Sequence, residues 1–274
     1  MIRAFSPGSV TLFFEIRDEH EDPLKKGSRG VGVCLSRGVI TTLKEGDDLQ
    51  IFINGKRREG TIQEDVAKFY GFKGTIRSEV QLPISQGFGM SGAAALSTSL
   101  ALGNLFGYTY LKSLHIAHGI ELERKSGLGD IASQYVGGFT LRIREGIQPY
   151  GIVDRLFVPK IPIILVILDE EVETKEILQD KEMRKKIKRE GARAMDKFLV
   201  SPTLENAIRI AREFSFKTSL MSEEARNFLE ECENSVMAMI GNSAIVFGKC
   251  KNEILNDYKI IKVEIGDRAK ILED

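Results

Sequence analysis

The sequence predicts a two-domain α+β protein, and three observations support this prediction. The chain has 274 residues, which is enough for one large domain or two smaller ones. Runs of strand composition dominate the first half, whereas the second half gathers three helical segments between strands. The change occurs near residues 155–160. We therefore expect an N-terminal domain at residues 1–157 and a C-terminal domain at residues 158–274.

The first domain is predicted to be rich in strands. Its β-branched and aromatic runs predict strands at residues 10–16, 31–35, 39–43, 49–53, 75–82 and 139–143. Apolar residues recur at helical spacing over residues 109–125, which predicts a helix. Two further helices are expected at residues 64–70 and 93–105.

The second domain begins with a buried-strand signal, the apolar run at residues 161–168. Helices are predicted at about residues 180–200, 202–214 and 222–240, the second of them with Pro202 at its first helical position. Strands at residues 244–247 and 259–265 close the chain. Helices gathered beside strands are typical of an α+β domain.

Composition excludes several classes of function. Lys and Arg balance Asp and Glu at 39 each, so no basic excess indicates a nucleic acid or an anionic membrane as partner. The longest apolar run is too short to span a bilayer, and the N-terminus lacks the apolar core of a signal peptide. Cys34, Cys232 and Cys250 are far apart and odd in number. We expect reduced thiols in a cytoplasmic protein, with neither a disulfide framework nor a zinc site.

A glycine-rich loop is the most informative segment of the chain. Residues 83–95 have the sequence PISQGFGMSGAAA and lie between a predicted strand and a predicted helix. Glycines at 87, 89 and 92 let the backbone approach a ligand, and the N–H groups of the first helical turn favour an anion. This arrangement predicts a phosphate-binding site and hence a nucleotide or another phosphorylated ligand.

Other nucleotide-binding families fit this loop poorly. The run Gly87 to Gly92 matches G-x-G-x-x-G, but no acidic residue follows at the end of the next strand to hold a ribose. The P-loop pattern G-x-x-x-x-G-K-[ST] is missing from the sequence. The H-R-D and D-F-G motifs of protein kinases are missing as well.

Three motifs in order resemble those of the GHMP small-molecule kinases. The loop from Pro83 to Ala93 is similar to the family's P-x-x-x-G-L-G-S-S-A, and residues 6–15, SPGSVTLFFE, are similar to its P-G-x-x-x-L-x-G-E. Residues 126–130, SGLGD, followed by Gly137 and Gly138, are similar to its P-S-G-x-D…G-G segment, and residues 241–244 form a degenerate third loop. The resemblance spans most of the chain. It implies an N-terminal domain like ribosomal protein S5 and a ferredoxin-like C-terminal domain.

The resemblance also implies ATP and magnesium as cofactors. The expected ATP-binding residues follow the glycine loop: Pro83, Gly87, Phe88, Gly89, Met90, Ser91, Gly92 and Ala93. Ser91 and Glu121 are the implied magnesium ligands, and Glu123 is the competing choice for the acid. Asp130 is the residue that would orient or deprotonate the accepting hydroxyl. The alternatives from the residues alone are helix N-caps for Ser91 and Asp130 and a solvated helix acid for Glu121.

Within the family, the chain most closely resembles the archaeal pantoate kinases. Residues 26–34, 117–121 and 127–138 carry this resemblance. It implies ATP-dependent phosphorylation of the 4-hydroxyl of pantoate in coenzyme A synthesis. The substrate-binding positions that it implies are Ser28, Arg142 and His118, with Arg29 as an adjacent candidate. An arginine offers a bidentate fork for the pantoate carboxylate.

The sequence departs from the family pattern at Met90, where one hydroxyl is lost, and at Ser9, where some members carry Lys. Two alternatives stay open. One is a GHMP kinase for another small acid, homoserine or mevalonate, and the other is a non-catalytic ATP-binding sensor. A small molecule is the expected partner, and the sequence leaves a homodimer open.

Overall fold

The protein consists of two antiparallel-rich sheets with helices packed against them. The computed structural model describes residues 1–168 and 180–273. The strands are β1 Ile2–Arg17, β2 Gly27–Glu45, β3 Gln50–Ile53, β4 Lys56–Arg58, β5 Gly74–Val80, β6 Phe139–Arg144, β7 Ile152–Leu156, β8 Ile163–Ile167, β9 Ser235–Met237, β10 Ser243–Phe247, β11 Lys259–Val263 and β12 Lys270–Leu272.

The helices of the described residues lie mostly between the strands of each half. They are α1 Ile62–Tyr70, α2 Met90–Leu105, α3 Tyr110–Arg124, α4 Asp130–Val136, α5 Lys181–Val200, α6 Leu204–Thr218, α7 Glu223–Glu231 and α8 Asn252–Leu255. A short 3-10 helix spans Pro23–Lys25. Each described helix is too short or too polar to cross a membrane.

The first sheet has the order β12-β1-β2-β5-β3-β4, and β6 pairs with both β2 and β7. The second sheet has the order β11-β8-β10-β9. Strands β7 and β8 flank residue 157 and belong to different sheets, whereas the last strand, β12, returns to pair with β1. The mixed α+β fold is as predicted; the division of the chain at residue 157 stays a prediction.

Two helices build the wall on which the site rests. Helix α2 is buried along almost its whole length and consists mostly of Ala, Leu, Ser and Gly, which permits close packing against α3 and β1. Helix α3 is preceded by the N-cap Thr109, whose side chain accepts from the N–H of Lys112, and is followed by the C-cap Lys125 in the left-handed conformation.

Several expected elements differ from the structure. Residues 31–35 and 39–43 belong to one continuous strand, β2, because β1 pairs with it from Gly27 to Leu43. The helix expected at residues 222–240 ends at Glu231, and Ser235–Met237 pair with β10 instead. Pairing with β10 overrides the local helical preference there. Helix α6 is capped by Thr203, so Pro202 precedes the helix and does not begin it.

One expectation about the cysteines is wrong. Cys232 and Cys250 form a disulfide, and Cys34 is the only free thiol among the described residues. The end of α7 and the segment after β10 bring the two Cα atoms to 5.7 Å, although 18 positions separate the residues in the chain. Only the tertiary fold creates this proximity, so the sequence spacing could not indicate it. Burial raises the pKa of the Cys34 thiol to about 12, which keeps it protonated.

Candidate active site

A cleft of about 770 Å³ lies between the glycine loop and the turn that joins α3 to α4. The floor includes side chains from β1, β2 and β6, and Met239 and Ile240 contribute from the second half of the chain. Five of the eight predicted ATP-binding residues line it: Gly87, Phe88, Gly89, Met90 and Ser91. The other three, Pro83, Gly92 and Ala93, are not among the lining residues.

The glycine loop is built so that the N-terminus of α2 opens into this cleft. Helix α2 begins at Met90, and its N-cap, Gly89, has φ of +64°, a conformation that favours glycine. A Cβ at residue 89 would also overlap the Ser9 hydroxyl. Glycine at this position therefore lets the loop pack against Ser9 while the first turn of α2 lies at the cleft. Such a helix end binds anions, and phosphate in particular.

The degenerate third loop packs directly beneath the glycine loop. Ser243 Oγ donates to Gln86 Oε1 at 2.7 Å. Gly87 has φ of +77°, and a Cβ there would lie 2.8 Å from the carbonyl oxygen of Ala238. A Cβ at Gly241 would overlap the backbone of Gln86. Residues 238–243 thus support the phosphate-binding loop from the second half of the chain.

The carboxylate of Glu121 is buried without a hydrogen-bond partner on either oxygen among the described residues. Burial raises its pKa well above the usual range, and the negative charge of Asp130 adds to the shift. A Cβ at Gly92 would lie 2.7 Å from Glu121 Oε1, so this acid packs against the residue next to Ser91. Glu121 is not itself among the residues that line the cleft, but it packs against Gly127, which is. An orphaned buried carboxylate at this place fits a cation ligand.

Ser91 and Glu123 occupy different surroundings. Ser91 is the second residue of α2 and lines the cleft, and since Gly89 is the N-cap, Ser91 is not a capping residue. Glu123 is exposed at the rim. In the part of the chain that the structure describes, no three His, Cys, Asp or Glu side chains form a preformed metal cage. Magnesium, which keeps waters and phosphate oxygens as ligands, needs no such cage.

Asp130 begins α4 and lines the cleft opposite the glycine loop. Its Oδ1 accepts a hydrogen bond of 2.9 Å from Ser9 Oγ. Burial raises its pKa, while the Ser9 hydrogen bond and the charge of Arg142 act in the opposite direction. The N-cap of α4 is Gly129 and makes no side-chain cap, so Asp130 does not cap this helix.

Arg142 and Ser28 meet at one end of the cleft, next to Gly129. A Cβ at residue 129 would lie 2.5 Å from Ser28 Oγ and 2.8 Å from Arg142 Nε. Arg142 is buried. It donates through one terminal nitrogen to Ser133 Oγ at 2.8 Å and through the other to Thr11 Oγ1 at 3.4 Å. Its Nε has no partner among the described residues. A buried guanidinium with an unused donor can bind a carboxylate.

Arg29 and His118, also predicted to bind substrate, are not among the residues that line the cleft. Arg29 follows Ser28 on β2 and so points to the opposite face of the sheet, where it donates to Glu15 Oε2 and to the carbonyl of Ile143. His118 is buried on α3. Its Nε2 lies 3.1 Å from the carbonyl oxygen of Lys26 and 3.2 Å from that of Pro23. Direct substrate contact by either residue stays a prediction, and both sets of contacts indicate support of the site.

Sequence reasoning missed several residues of the site. Ser9 and Gln134 contact each other and the glycine loop, and Thr11 holds Arg142. Phe14, Leu128 and Met239 are apolar residues that line the cleft together with Arg142. Ser9 stood out only as the position where some GHMP kinases carry Lys. The others are ordinary strand, turn and helix residues that no local pattern marks.

Known proteins resemble this chain in sequence and in fold. A family model described as GHMP kinases N terminal domain matches residues 58–138. The chain is 37% identical to a pantoate kinase of Thermococcus kodakarensis, over 99% of this chain and 91% of that protein. It is 34% identical to a pantoate kinase of Methanocaldococcus jannaschii, over 92% of this chain and 94% of that protein. A solved structure described as "Phosphotransferase related to CoA biosynthesis pathway" superposes with a TM-score of 0.85 at 32% identity, covering 99% of this chain and 98% of its own.

Proposed function

Because the chain belongs to the GHMP kinase family, in the branch of the archaeal pantoate kinases, we propose that it phosphorylates (R)-pantoate. The γ-phosphoryl group of ATP is transferred to the 4-hydroxyl, which gives 4-phosphopantoate for coenzyme A synthesis. One observation carries this proposal. The unused donor of Arg142 and the Ser28 hydroxyl lie beside Gly129, the residue before Asp130, in the same cleft as the glycine loop. Residues that can bind a carboxylate, a general base and a phosphate-binding loop therefore lie in the same cleft.

The ATP phosphates bind the glycine loop in this proposal. Backbone N–H groups at the start of α2 receive the negative charge, and the third loop keeps the glycine loop in place. Ser91 and Glu121 would hold magnesium, which would supply positive charge against the phosphate oxygens. The buried, unpartnered oxygens of Glu121 support this assignment.

The acceptor lies at the other end of the cleft. Arg142 Nε and Ser28 Oγ bind the carboxylate of pantoate, and Thr11 and Ser133 fix the guanidinium from behind. Asp130 then accepts or orients the proton of the attacking 4-hydroxyl. Phosphoryl transfer demands little covalent chemistry from a protein, so positioning and charge supply most of the catalysis.

The geminal methyl groups of pantoate need an apolar wall. In this proposal the apolar residues Phe14, Leu128 and Met239, which line the cleft, supply one. Phe14 lies opposite Gly30 on β2, and Gly30 lies opposite Arg142 on β6, so the ring and the guanidinium flank the same glycine. A smaller or more polar acceptor such as homoserine would leave this wall unfilled.

Arg29 and His118 act indirectly in this proposal. Arg29 holds the buried Glu15 on β1, and His118 holds the turn at Pro23–Lys25 that leads into Ser28. We place the reaction in the cytoplasm, where ATP is supplied. A non-catalytic sensor would lack the acidic residues that phosphoryl transfer requires. Here Glu121 and Asp130 are both present and lie together beside Gly127.

The test is a panel of acceptors. Purified protein with Mg-ATP is offered D-pantoate, mevalonate, homoserine and galactose at matched concentrations, and the formation of ADP is followed. We expect pantoate to be phosphorylated much faster than the other three. Comparable turnover of homoserine or mevalonate would leave the family but remove the substrate assignment. ATP binding without turnover of any acceptor would favour the sensor.

A further inference from the structure

Ser9 connects the glycine loop to Asp130 through both its backbone and its side chain. The register of β1 against β2 shifts between Pro7 and Ser9, and such an irregularity re-aims the side chain that follows it. The N–H of Ser9 donates to the carbonyl of Phe88 at 2.9 Å. Its hydroxyl donates to Asp130 Oδ1 at 2.9 Å. One residue therefore joins the phosphate-binding loop to the acid across the cleft.

Gln134 fixes the direction of the Ser9 hydrogen bond. Its Nε2 donates to the carbonyl of Gly89 at 2.8 Å, and since a carbonyl only accepts, the amide must present its NH₂ group there. The second hydrogen of that group reaches Ser9 Oγ at 3.3 Å. Ser9 accepts from Gln134, and its single proton is left for Asp130.

These hydrogen bonds occupy Oδ1 of Asp130 and leave Oδ2 to interact with a ligand in the cleft. Oδ1 receives the Ser9 proton, whereas Oδ2 lies on the side of Gly127, where a Cβ would approach it to 3.2 Å. The orientation of the carboxylate is thus set by residues that contact the glycine loop. Deprotonation or orientation of an acceptor requires such a fixed geometry relative to the phosphate.

We propose that Ser9 and Gln134 are positioning residues that hold the Asp130 carboxylate in a fixed position relative to the bound phosphates. This inference rests on the proposed kinase function. Both side chains are fully buried, and Gln134 Oε1 has no hydrogen-bond partner among the described residues. A buried polar atom without a partner destabilises the fold, and an apolar side chain would avoid that cost. Packing alone therefore does not account for the polar pair, whereas its contacts with Asp130 and the glycine loop do.

The experiment is a double-mutant cycle between Ser9 and Asp130. Ser9→Ala removes the donor, and we expect kcat to fall about 10-fold or more while the KM values for acceptor and ATP stay within about 3-fold. In the Asp130→Asn background, Ser9→Ala should change kcat by less than about 2-fold, because the carboxylate that it positions is already gone. Gln134→Leu should resemble Ser9→Ala.

Ser99→Ala is the matched control. Ser99 is also a buried serine, and its Oγ donates to the carbonyl of Ser113 at 2.7 Å; neither residue lines the cleft. It should lose stability without a loss of kcat, and thermal unfolding of all variants separates folding from catalysis. Equal losses of kcat for Ser9→Ala in both backgrounds, or a Ser9→Ala variant that only unfolds more easily, would overturn the proposal.

The cycle is run with whichever acceptor the wild-type protein phosphorylates fastest. If that acceptor is not pantoate, the substrate assignment fails while the coupling between Ser9 and Asp130 is still measured. If no acceptor is phosphorylated, both the proposed function and the positioning role are wrong.

Discussion

Gly127 packs so closely against Glu121 that a Cβ at residue 127 would lie 2.6 Å from Oε1 of the glutamate. Gly92 approaches the same oxygen from the start of α2. Two glycines therefore enclose a carboxylate to which no described residue donates a hydrogen bond. The raised pKa of Glu121 reflects this burial, and a bound cation would reverse it.

The metal assignment predicts that Glu121 and Ser91 are required for turnover. Glu121→Gln and Ser91→Ala should each lower kcat by about 100-fold or more, the scale lost with one charge contact in a transition state. Glu121→Gln should also weaken the dependence of the rate on magnesium concentration. The exposed Glu123 provides the control, and Glu123→Gln should leave kcat nearly unchanged. An essential Glu123 with a dispensable Glu121 would move the metal site by two positions.

Kinetics should separate the roles of Asp130 and Arg142. Asp130→Asn keeps the shape of the side chain but removes the charge and the base. It should therefore depress kcat strongly and leave the pantoate KM within a few-fold. Arg142→Ala should mainly raise the pantoate KM, by a factor equivalent to about 2–3 kcal/mol for a charged hydrogen bond. The KM for ATP should barely move. Weaker ATP binding with unchanged pantoate binding would place the carboxylate elsewhere.

Arg29 should matter for folding more than for substrate. It shares the buried Glu15 with Arg17, whose Nε lies 2.8 Å from Glu15 Oε1. Arg29→Ala leaves that carboxylate with one partner and should lower the free energy of unfolding by about 1–3 kcal/mol. The pantoate KM should stay within a few-fold, in contrast to Arg142→Ala. A large increase in KM with unchanged stability would make Arg29 a direct substrate ligand.

His118 should make the fold sensitive to acid. Burial lowers its pKa to about 4, so between pH 6.5 and pH 4 the unfolded chain binds a proton that the folded protein does not. Stability is therefore complete above about pH 6.5 and falls as the pH drops. At about pH 5 the loss should be about 2 kcal/mol relative to about pH 7.5.

Urea unfolding at these two pH values measures the effect. His118→Gln cannot take up the proton, so its free energy of unfolding should decrease less between the higher and the lower pH. His115→Gln, on the same helix, is the matched control and should keep the full decrease. An unchanged decrease in His118→Gln would mean that other groups cause the acid sensitivity.

Local patterns were sufficient to predict the glycine-rich turn between β5 and α2, whereas its role in phosphate binding stays a prediction. Glycines at 87 and 89 are needed for backbone conformation and close approach, and both requirements leave a readable trace in the sequence. The order of the motifs then identified the family. The extent of β2 was harder to predict. Strand β1 pairs with it on both sides of an irregularity at residues 35–37, so residues 36–38, which separate the two expected strands, lie within one strand.

The direction of individual side chains could not be predicted. Ser28 and Arg29 are neighbours on β2, and only the pairing with β6 decides that Ser28 shares a face with Arg142. His118 lies one helical turn before Glu121, yet the turn at Pro23–Lys25 covers it. Gln134 and the Cys232–Cys250 pair depend on contacts between residues distant in the chain. Such contacts leave no periodic signal.

Identification of the reaction product tests the central claim most directly. Protein is incubated with Mg-ATP and D-pantoate, and the products are analysed by ³¹P nuclear magnetic resonance and mass spectrometry. We predict one phosphomonoester on the primary 4-hydroxyl of pantoate, formed in equal amount to ADP. ADP without a pantoate phosphoester, or a phosphoryl group on the carboxylate, would contradict the account.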